Sequence, residues 1–600
     1  MKKLLLTIIL GFLILNLAGQ VIPEERRVDW ESAIQNISYF QPDVQINVMD
    51  FGAIGDGVTN DQPAVMNAIA SLNGHPGYVF FPAGNYLIEG PIVLEDSCIL
   101  KGAGSDLSTL IFDMGETSTN CISISRSQTS DFVAITGGYN KGNNLITVSD
   151  INSFSIGDYV EIRQENGDWD IVPIAWADYS VGQVTRIIAI VGNKLLLESD
   201  LRIDYSEDLN PEIRTIVPIS NAGIQCIKIK RIDQPMEGGG ANIYTNMAAN
   251  CIVRGVESDS SVGAHISINT SLNILVDGCY IHDAFIYDGV SMHGYGVAIS
   301  HHSSECLITN NIFKHLRHAM MIKTGANGNV FSYNYSIEPF RTEPIPDASG
   351  DISFHGHYAF SNLFEGNIAQ NIVIDHYWGP SGPYNTIFRN RAELYGIIMT
   401  ANEILETNNQ NFVGSEVTDF TFLHGLYVIT GEDQFEYGNN IKGDIIPAGT
   451  NTLSDSSYYL SEVPYFWNDN IEWPSLGIPN ELGSGTIPAN LRYGFGGTLT
   501  ICPDSVITAI NQESNPSKLG VEVWPNPSNN FIKVKLLEYY TGQIEVNLIN
   551  SVGEVVLSTD AEIFNTGSFK ISTSMLMPGI YLLSIGTANQ IVTKKVIIAR

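Results

Sequence analysis

One short motif returns six times in the middle of this chain, as Val253-Arg254-Gly255-Val256, Val276-Asp277-Gly278-Cys279, Ile308-Thr309-Asn310-Asn311, Phe331-Ser332-Tyr333-Asn334, Phe364-Glu365-Gly366-Asn367 and Phe388-Arg389-Asn390-Arg391. The first residues lie 23, 32, 23, 33 and 24 apart, so the basic period is about 23 and two turns carry extra residues. The first position is apolar throughout, and the fourth holds Asn311, Asn334 and Asn367 in succession. Asparagine tolerates the left-handed turn between short strands and can hydrogen-bond to its own kind above and below. Short β-branched and aromatic strands on this period predict an all-β chain wound as a parallel β-helix, with coils about 4.8 Å apart. A β-propeller repeats at about 40 residues or more. No long helical period appears, which excludes a bundle or a doubly wound sheet.

The N-terminal side adds a capping element. Val48-Met49-Asp50-Phe51-Gly52-Ala53-Ile54-Gly55-Asp56-Gly57-Val58-Thr59-Asn60-Asp61 precedes a helix expected from Pro63 to Leu72, with Asn60 or Asp61 as its cap. Gly77-Tyr78-Val79-Phe80-Phe81-Pro82-Ala83-Gly84-Asn85-Tyr86 then reads as a strand bent at Pro-Ala-Gly. This pair of motifs resembles the rhamnogalacturonase/epimerase-like pectate lyase superfamily. The resemblance implies a right-handed parallel β-helix whose open end the helix covers. It says little about the reaction, because lyases, hydrolases, epimerases and non-catalytic proteins share the fold.

Composition bounds the setting. Met1-Lys2-Lys3 followed by an apolar run to Leu17 reads as a secretory signal peptide over 1–20, too short for a membrane span. Net charge is −33, from 31 basic and 64 acidic residues, which argues against nucleic acid as a partner. Seven cysteines are present. Cys226, Cys251 and Cys306 stand about one and two turns apart, and the expectation is small core residues stacked in a column.

The β-helix is expected over 21–502, with a small β module inserted at about 140–205. Trp169 and Trp176 of that module either pack in its core or stack on sugar rings. A polar linker spans 503–519. Beyond it, at 520–600, come Val523-Trp524-Pro525-Asn526-Pro527, Leu576-Met577-Pro578-Gly579-Ile580-Tyr581 and the strand around Lys594-Lys595-Val596-Ile597-Ile598. These features resemble the C-terminal sorting domain of the type IX secretion system. The resemblance implies a β-sandwich that engages that machinery and carries the protein to the cell surface or beyond it.

Chemistry is concentrated in one window. Ten of the twelve histidines fall between His265 and His376, and histidine is the usual proton carrier near neutral pH. One long turn carries His282, Asp283, Asp288, His293, Gly294 and Tyr295; the other carries Arg341, Glu343, Asp347, Asp351, His355 and His357. Between them runs Lys314-His315-Leu316-Arg317-His318-Ala319-Met320-Met321-Ile322-Lys323. Loops on a rigid scaffold are where binding and catalysis gather. Counting back thirteen residues from each motif aligns Tyr295, His318, Asp351 and Asp375; counting back eight aligns Ser300 with Lys323. His318 shares the parity of Met320 and Ile322, so it is either a proton carrier or a satisfied core residue. The candidate catalytic residues are His293, Tyr295, His318, His355 and Asp375. Arg317, Lys323, Arg341 and His357 are candidate substrate contacts.

Two mechanisms compete. A lyase acting on a uronic acid must neutralise the sugar carboxylate, remove the neighbouring proton and protonate the leaving oxygen, roles that suit Arg, Lys, His and Tyr. A glycoside hydrolase needs two carboxylates about 5 Å or about 6.5–9.5 Å apart, and Asp351 with Asp375 are the candidates. The paired-aspartate signature of polygalacturonases is not evident, which favours β-elimination of an anionic polysaccharide. A surface glycan-binding protein without turnover is the third reading. No compact metal motif marks the site; Ca²⁺ is compatible, since its oxygen ligands leave little sequence trace. The expected state is a monomer. Truncation after about Gly520 should abolish surface delivery in the native host yet leave the purified protein's activity intact; loss of activity with the β-helix still folded would count against a purely sorting role.

Overall fold

The computed structural model describes residues 20–35, 42–235, 238–342, 350–400, 405–467 and 470–502, together with the strands and a few turn residues between 521 and 598. All but Gln20 of the expected signal peptide, the expected linker, and Glu343 and Asp347 lie outside the described residues. The chain divides into two units, Met1–Ser505 and Val506–Arg600.

The first unit is a right-handed parallel β-helix. Its middle coils each contribute three short strands, for example Leu275–Asp277, Tyr280–Ala284 and Tyr295–Ser300, then Leu307–Thr309, Ile312–Lys314 and His318–Ile322. The first strand of each coil joins a 12-stranded parallel sheet. Val253, Val276, Ile308, Phe331 and Phe364 pair in register there and are buried inside the helix. The Phe331 and Phe364 rings stack 4.7 Å apart. Each such side chain removed from water is worth about 1.5–3 kcal/mol.

The sixth repeat departs from the sequence reading. Phe364 pairs with Ile387, and Phe388 pairs with Glu365. A slip of one residue turns a strand side chain to the opposite face, so Ile387 fills the interior while Phe388 packs outside on Tyr458, with ring centroids 4.1 Å apart. The corrected register puts Gly255, Gly278, Asn310, Tyr333, Gly366 and Arg389 at one corner, all with left-handed backbone. That conformation costs a side chain something, and Arg389 is held in it by donating to the carbonyls of Asp455, Leu476 and Ile478.

Immediately after that corner the buried asparagines form a ladder. Asn311 donates its side-chain amide to Asn334, Asn334 to Asn367, and Asn367 to Asn390, at 2.8–3.0 Å. Each also donates to a strand carbonyl, Val276, Ile308 and Phe331 respectively. A second ladder, unseen in the sequence, runs Asn329, Asn362, Asn385 and Gln410. Cys279 and Cys306 head the two ladders by donating their backbone amides to Asn311 and Asn329.

The cysteine reading needs one correction. Cys226 is bonded to Cys502, because a strap over 447–502 runs back along the outside of the 12-stranded sheet and ends beside the Cys226 corner. Cys251 and Cys306 are buried free thiols, with Ile274 between them in register.

At the N-terminal end the helix Gln62–Ser71 buries Ala64, Val65, Ala68 and Ile69 against the interior. Asn60 caps it through the Gln62 amide, while the Asp61 carboxylate instead ties back the Ile54 and Gly55 amides.

The insertion is a closed six-stranded antiparallel barrel, running from Val133–Gly137 to Glu212–Ile216. It is docked on the helix by buried polar contacts. His302 bonds Glu161 at 2.8 Å and the Tyr179 carbonyl at 2.6 Å; Arg202 pairs with Glu305 and donates to Asn327. The second unit is a small sandwich of a three-stranded and a four-stranded antiparallel sheet around Ile532, Val534, Leu548 and Leu583.

Asn367→Ala removes two side-chain donations, leaves the Asn334 backbone amide without its acceptor and takes one of two acceptors from the Asn334 side-chain amide. The expected loss is about 2–4 kcal/mol of stability, read as a lower denaturant midpoint. A change below about 0.5 kcal/mol would show that the ladder is not a stabilising element.

Candidate active site

The third strand of each coil presents the chemistry. Ile299 pairs with Ile322 and Ile322 with Phe354, so the next residues, Ser300, Lys323 and His355, form one outward column. His355 pairs directly with Asp375. The distance in sequence from this column to the interior position of the following coil is 8 residues at Ser300 and Lys323, 9 at His355 and 12 at Asp375. A constant count therefore works for the first pair and fails once the turns lengthen.

The same lengthening breaks the other expected column. Tyr295 does pair with His318. Met320 pairs with Ile352, which leaves Gly350, not Asp351, opposite His318. The Asp351 carboxylate accepts the Gln370 amide at 2.7 Å, and burial pushes it up to about 6.

The parity problem at His318 is resolved by an irregular strand. Ala319 and Met320 both lie in the interior cluster, so His318 and Tyr295 emerge on the outer face. Tyr295 packs there with Ala264, Ala298 and Met321.

Around this column several predicted residues meet. His355 Nδ1 and Asp375 Oδ2 are 2.6 Å apart, and the other Asp375 oxygen accepts the Tyr377 amide. A carboxylate on Nδ1 fixes the tautomer and leaves Nε2 as the basic atom. The His318 ring lies 5.6 Å from His355 and 4.6 Å from Tyr295. Its Nδ1 donates to the Gly350 carbonyl at 3.0 Å. Burial, then the charge of Arg317, holds the imidazole neutral, well below its ordinary range. Arg317 sits 5.4 Å from the Tyr295 ring centre, and Arg341 is close enough to add to the same field.

Lys323 is the half-buried cation of the group. Its ammonium lies 5.0 Å from the Trp176 ring, and burial lowers it to about 8. Among the described residues no carboxylate lies within ion-pair distance of it. His357 is fully buried beneath Trp176, 4.9 Å away between ring centres. Burial lowers its pKa.

His293 is placed apart by its bonding. Both its ring nitrogens are engaged, with Asp288 at 2.7 Å and the Gly238 carbonyl at 3.0 Å, which anchors the first long turn. Sequence reasoning missed Ser353, whose buried hydroxyl has no hydrogen-bond partner among the described residues. It missed Trp378 as well. Only the register places the first in the floor, and only the three-dimensional turn places the second against Trp176.

Among the described residues a divalent cation has one grouping to consider. Glu257, Asp259 and His282 bring ligand atoms within 4.8 Å of one another. The Lys228 ammonium already lies between them, 2.6 Å from Glu257 and 3.0 Å from Asp259, and Ca²⁺ takes about 6–8 oxygens. These three residues do not fit that ion.

Residues 45–189 match the family model described as rhamnogalacturonase A/epimerase, pectate lyase-like, and residues 522–599 match that of the secretion system C-terminal sorting domain. The chain thus carries a pectate lyase-like domain and a tail that directs it by type IX secretion to the cell surface or extracellular space. It is 24% identical over 386 residues to the pre-neck appendage protein of Bacillus phage B103, a match covering 62% of this chain and 38% of that protein. It is 41% identical over 66 residues to the mannuronan C5-epimerase AlgE4 of Azotobacter vinelandii, covering 10% of this chain and 12% of the epimerase. The chain therefore spans well under half the length of these curated relatives. Among solved structures, the Pseudomonas phage phi297 tailspike gp61 aligns with a TM-score of 0.49 at 13% identity, covering 88% of this chain and 98% of the tailspike.

The lowered Lys323 pKa sets a stability prediction. Below about pH 8 the ammonium is charged in both folded and unfolded chains, and the folded state bears the full cost of burying it. As pH rises from about 8 towards the ordinary 10.5 that cost fades. Lys323→Met should therefore melt higher than the parent at pH 7, with the difference shrinking across that window. A difference independent of pH would show that the lysine is not desolvated.

Proposed function

We propose that this protein is a secreted polysaccharide lyase that cleaves a uronic-acid-containing chain by β-elimination. The observation that carries the reading is the column Lys323, His355, Asp375: a cation without a carboxylate partner among the described residues, beside a histidine oriented by an aspartate. Lys323 holds the sugar carboxylate and so acidifies the adjacent carbon. His355 Nε2 takes the proton from that carbon. The electron pair left there forms the new carbon–carbon double bond as the bond to the neighbouring glycosidic oxygen breaks. The imidazolium then returns its proton to that oxygen on the same face. Asp375 stabilises the imidazolium meanwhile, and neutral His318 packs beneath His355 to hold its ring in place.

The hydrolase reading is less well supported. Asp375 is engaged by His355, and Asp351 is turned to the Gln370 backbone. The two are not presented as a facing pair across a sugar. The pectate lyase-like match supports action on a polysaccharide in general; Lys323, with no carboxylate partner among the described residues, supports an anionic one.

The test is incubation with pectin, alginate, ulvan and glycosaminoglycans while following ultraviolet absorbance. β-Elimination leaves a conjugated, unsaturated sugar end that absorbs; hydrolysis does not. His355→Ala should cost at least about a hundredfold in turnover with folding preserved, the scale of one positioned proton-transfer group. New reducing ends without absorbance would indicate hydrolysis, and no cleavage of any member of the panel would favour a glycan-binding role.

A further inference from the structure

Trp176 is left unused by the mechanism above. It lies in a short turn, Ala175–Ala177, on the loop that joins the barrel strands Tyr159–Arg163 and Gly182–Val191, and 40% of its surface is exposed. Its neighbour Trp169 behaves differently: its ring lies tilted against Tyr358, 4.7 Å between centroids, and packs against the barrel core. Trp176 instead reaches over the outer face of the β-helix. The Lys323 ammonium lies 5.0 Å from its ring and the Trp378 ring 5.5 Å away. Tyr377, 66% exposed, continues the aromatic chain 5.0 Å beyond Trp378. Tyr377 and Trp378 follow closely on Asp375 in sequence, so the aromatic row borders the His355–Asp375 pair.

The loop is held in place. A Cβ on Gly325 of the β-helix would fall 1.7 Å from the Ser180 carbonyl of the barrel, so the two backbones meet where only glycine fits. His302 fixes the adjacent Tyr179 carbonyl. Trp176 is thus positioned by a rigid neighbour and is not a stray surface residue.

We propose that Trp176, Trp378 and Tyr377 form a stacking subsite for a pyranose ring whose carboxylate is held by Lys323, so that the inserted barrel supplies one wall of the substrate groove. A sugar ring presents C–H groups that pack on an aromatic face, and that face accepts a cation beside it. A tryptophan and a lysine side by side therefore match a ligand with an apolar face and an anionic edge. A neutral sugar engages the aromatic half alone. The choice of an acidic sugar rests on the lyase reading; stacking on Trp176 does not require turnover.

Binding is measured by calorimetry on the full chain carrying His355→Ala, with oligogalacturonate, oligomannuronate and chondroitin oligosaccharides as acidic probes and cello-oligosaccharides of equal length as the neutral one. At least one acidic probe should bind. Trp176→Ala should weaken it at least about tenfold, as loss of an anchoring aromatic does, while Trp176→Phe stays close to the parent. Lys323→Met should remove the preference for the acidic over the neutral probe. Unchanged affinity in Trp176→Ala, or in Trp378→Ala should the first variant melt early, overturns the subsite, as does failure of every acidic probe to bind. Trp176-dependent binding without unsaturated product from the wild type removes the lyase reading and leaves the subsite standing. Unsaturated product with Trp176-independent binding removes the subsite alone.

Discussion

The asparagine amides at the coil corners are at once donors and acceptors, and they are buried where water cannot replace them. Asn311, Asn334 and Asn367 each pass a hydrogen bond to the next coil and another to a strand carbonyl, and Asn390 accepts the last of these bonds and donates to the Phe364 carbonyl. A coil shifted by one residue would leave several of these groups unpaired, and a buried unmet donor costs about 1–3 kcal/mol. Burial of the apolar interior column opposes the same slip, since it would turn those side chains outward. The ladders thereby set which side chains stand beside one another on the outside, tens of residues away in sequence. The meeting of Lys323, His355 and Asp375 is a consequence of that register.

A second constraint is the seating of the barrel. Glu161, His302 and Arg214 form one buried polar link, and Arg202, Glu305 and Asn327 another. Buried ion pairs contribute little net stability, because desolvation offsets their attraction. They do penalise any other docking pose, since each alternative strands a charge. What the barrel gains is a fixed place for Trp176 over Lys323, and the lysine gives up part of its affinity for a proton in that confined setting.

How much of this could be read from the chain alone differs from residue to residue. The period exposed Val253, Val276, Ile308, Phe331 and Phe364 as an interior column, because hydrophobic burial repeats with the coil. Phe388 misled, since Ile387 beside it is equally apolar and pattern alone does not tell two adjacent apolar residues apart. Tyr295 and His318 were legible as neighbours because the turn between them and their motifs keeps its length. Asp351 was not, for one extra residue in a turn moves a whole strand. His293 looked like a catalytic histidine by position, yet both its nitrogens are engaged in holding a loop.

The sequence by itself determined the coil, its period, its capped N-terminal end and its sorting tail. Each of these is a local pattern, and local patterns need only the energetics of burial, turn conformation and hydrogen bonding within a few residues. Tertiary structure decided which histidine is oriented by an aspartate, which tryptophan stays exposed and which lysine goes without a carboxylate partner among the described residues. Those properties depend on the summed lengths of turns and on the docking of a separate barrel. No residue carries in its own neighbourhood the identity of the group that will stand beside it one coil away.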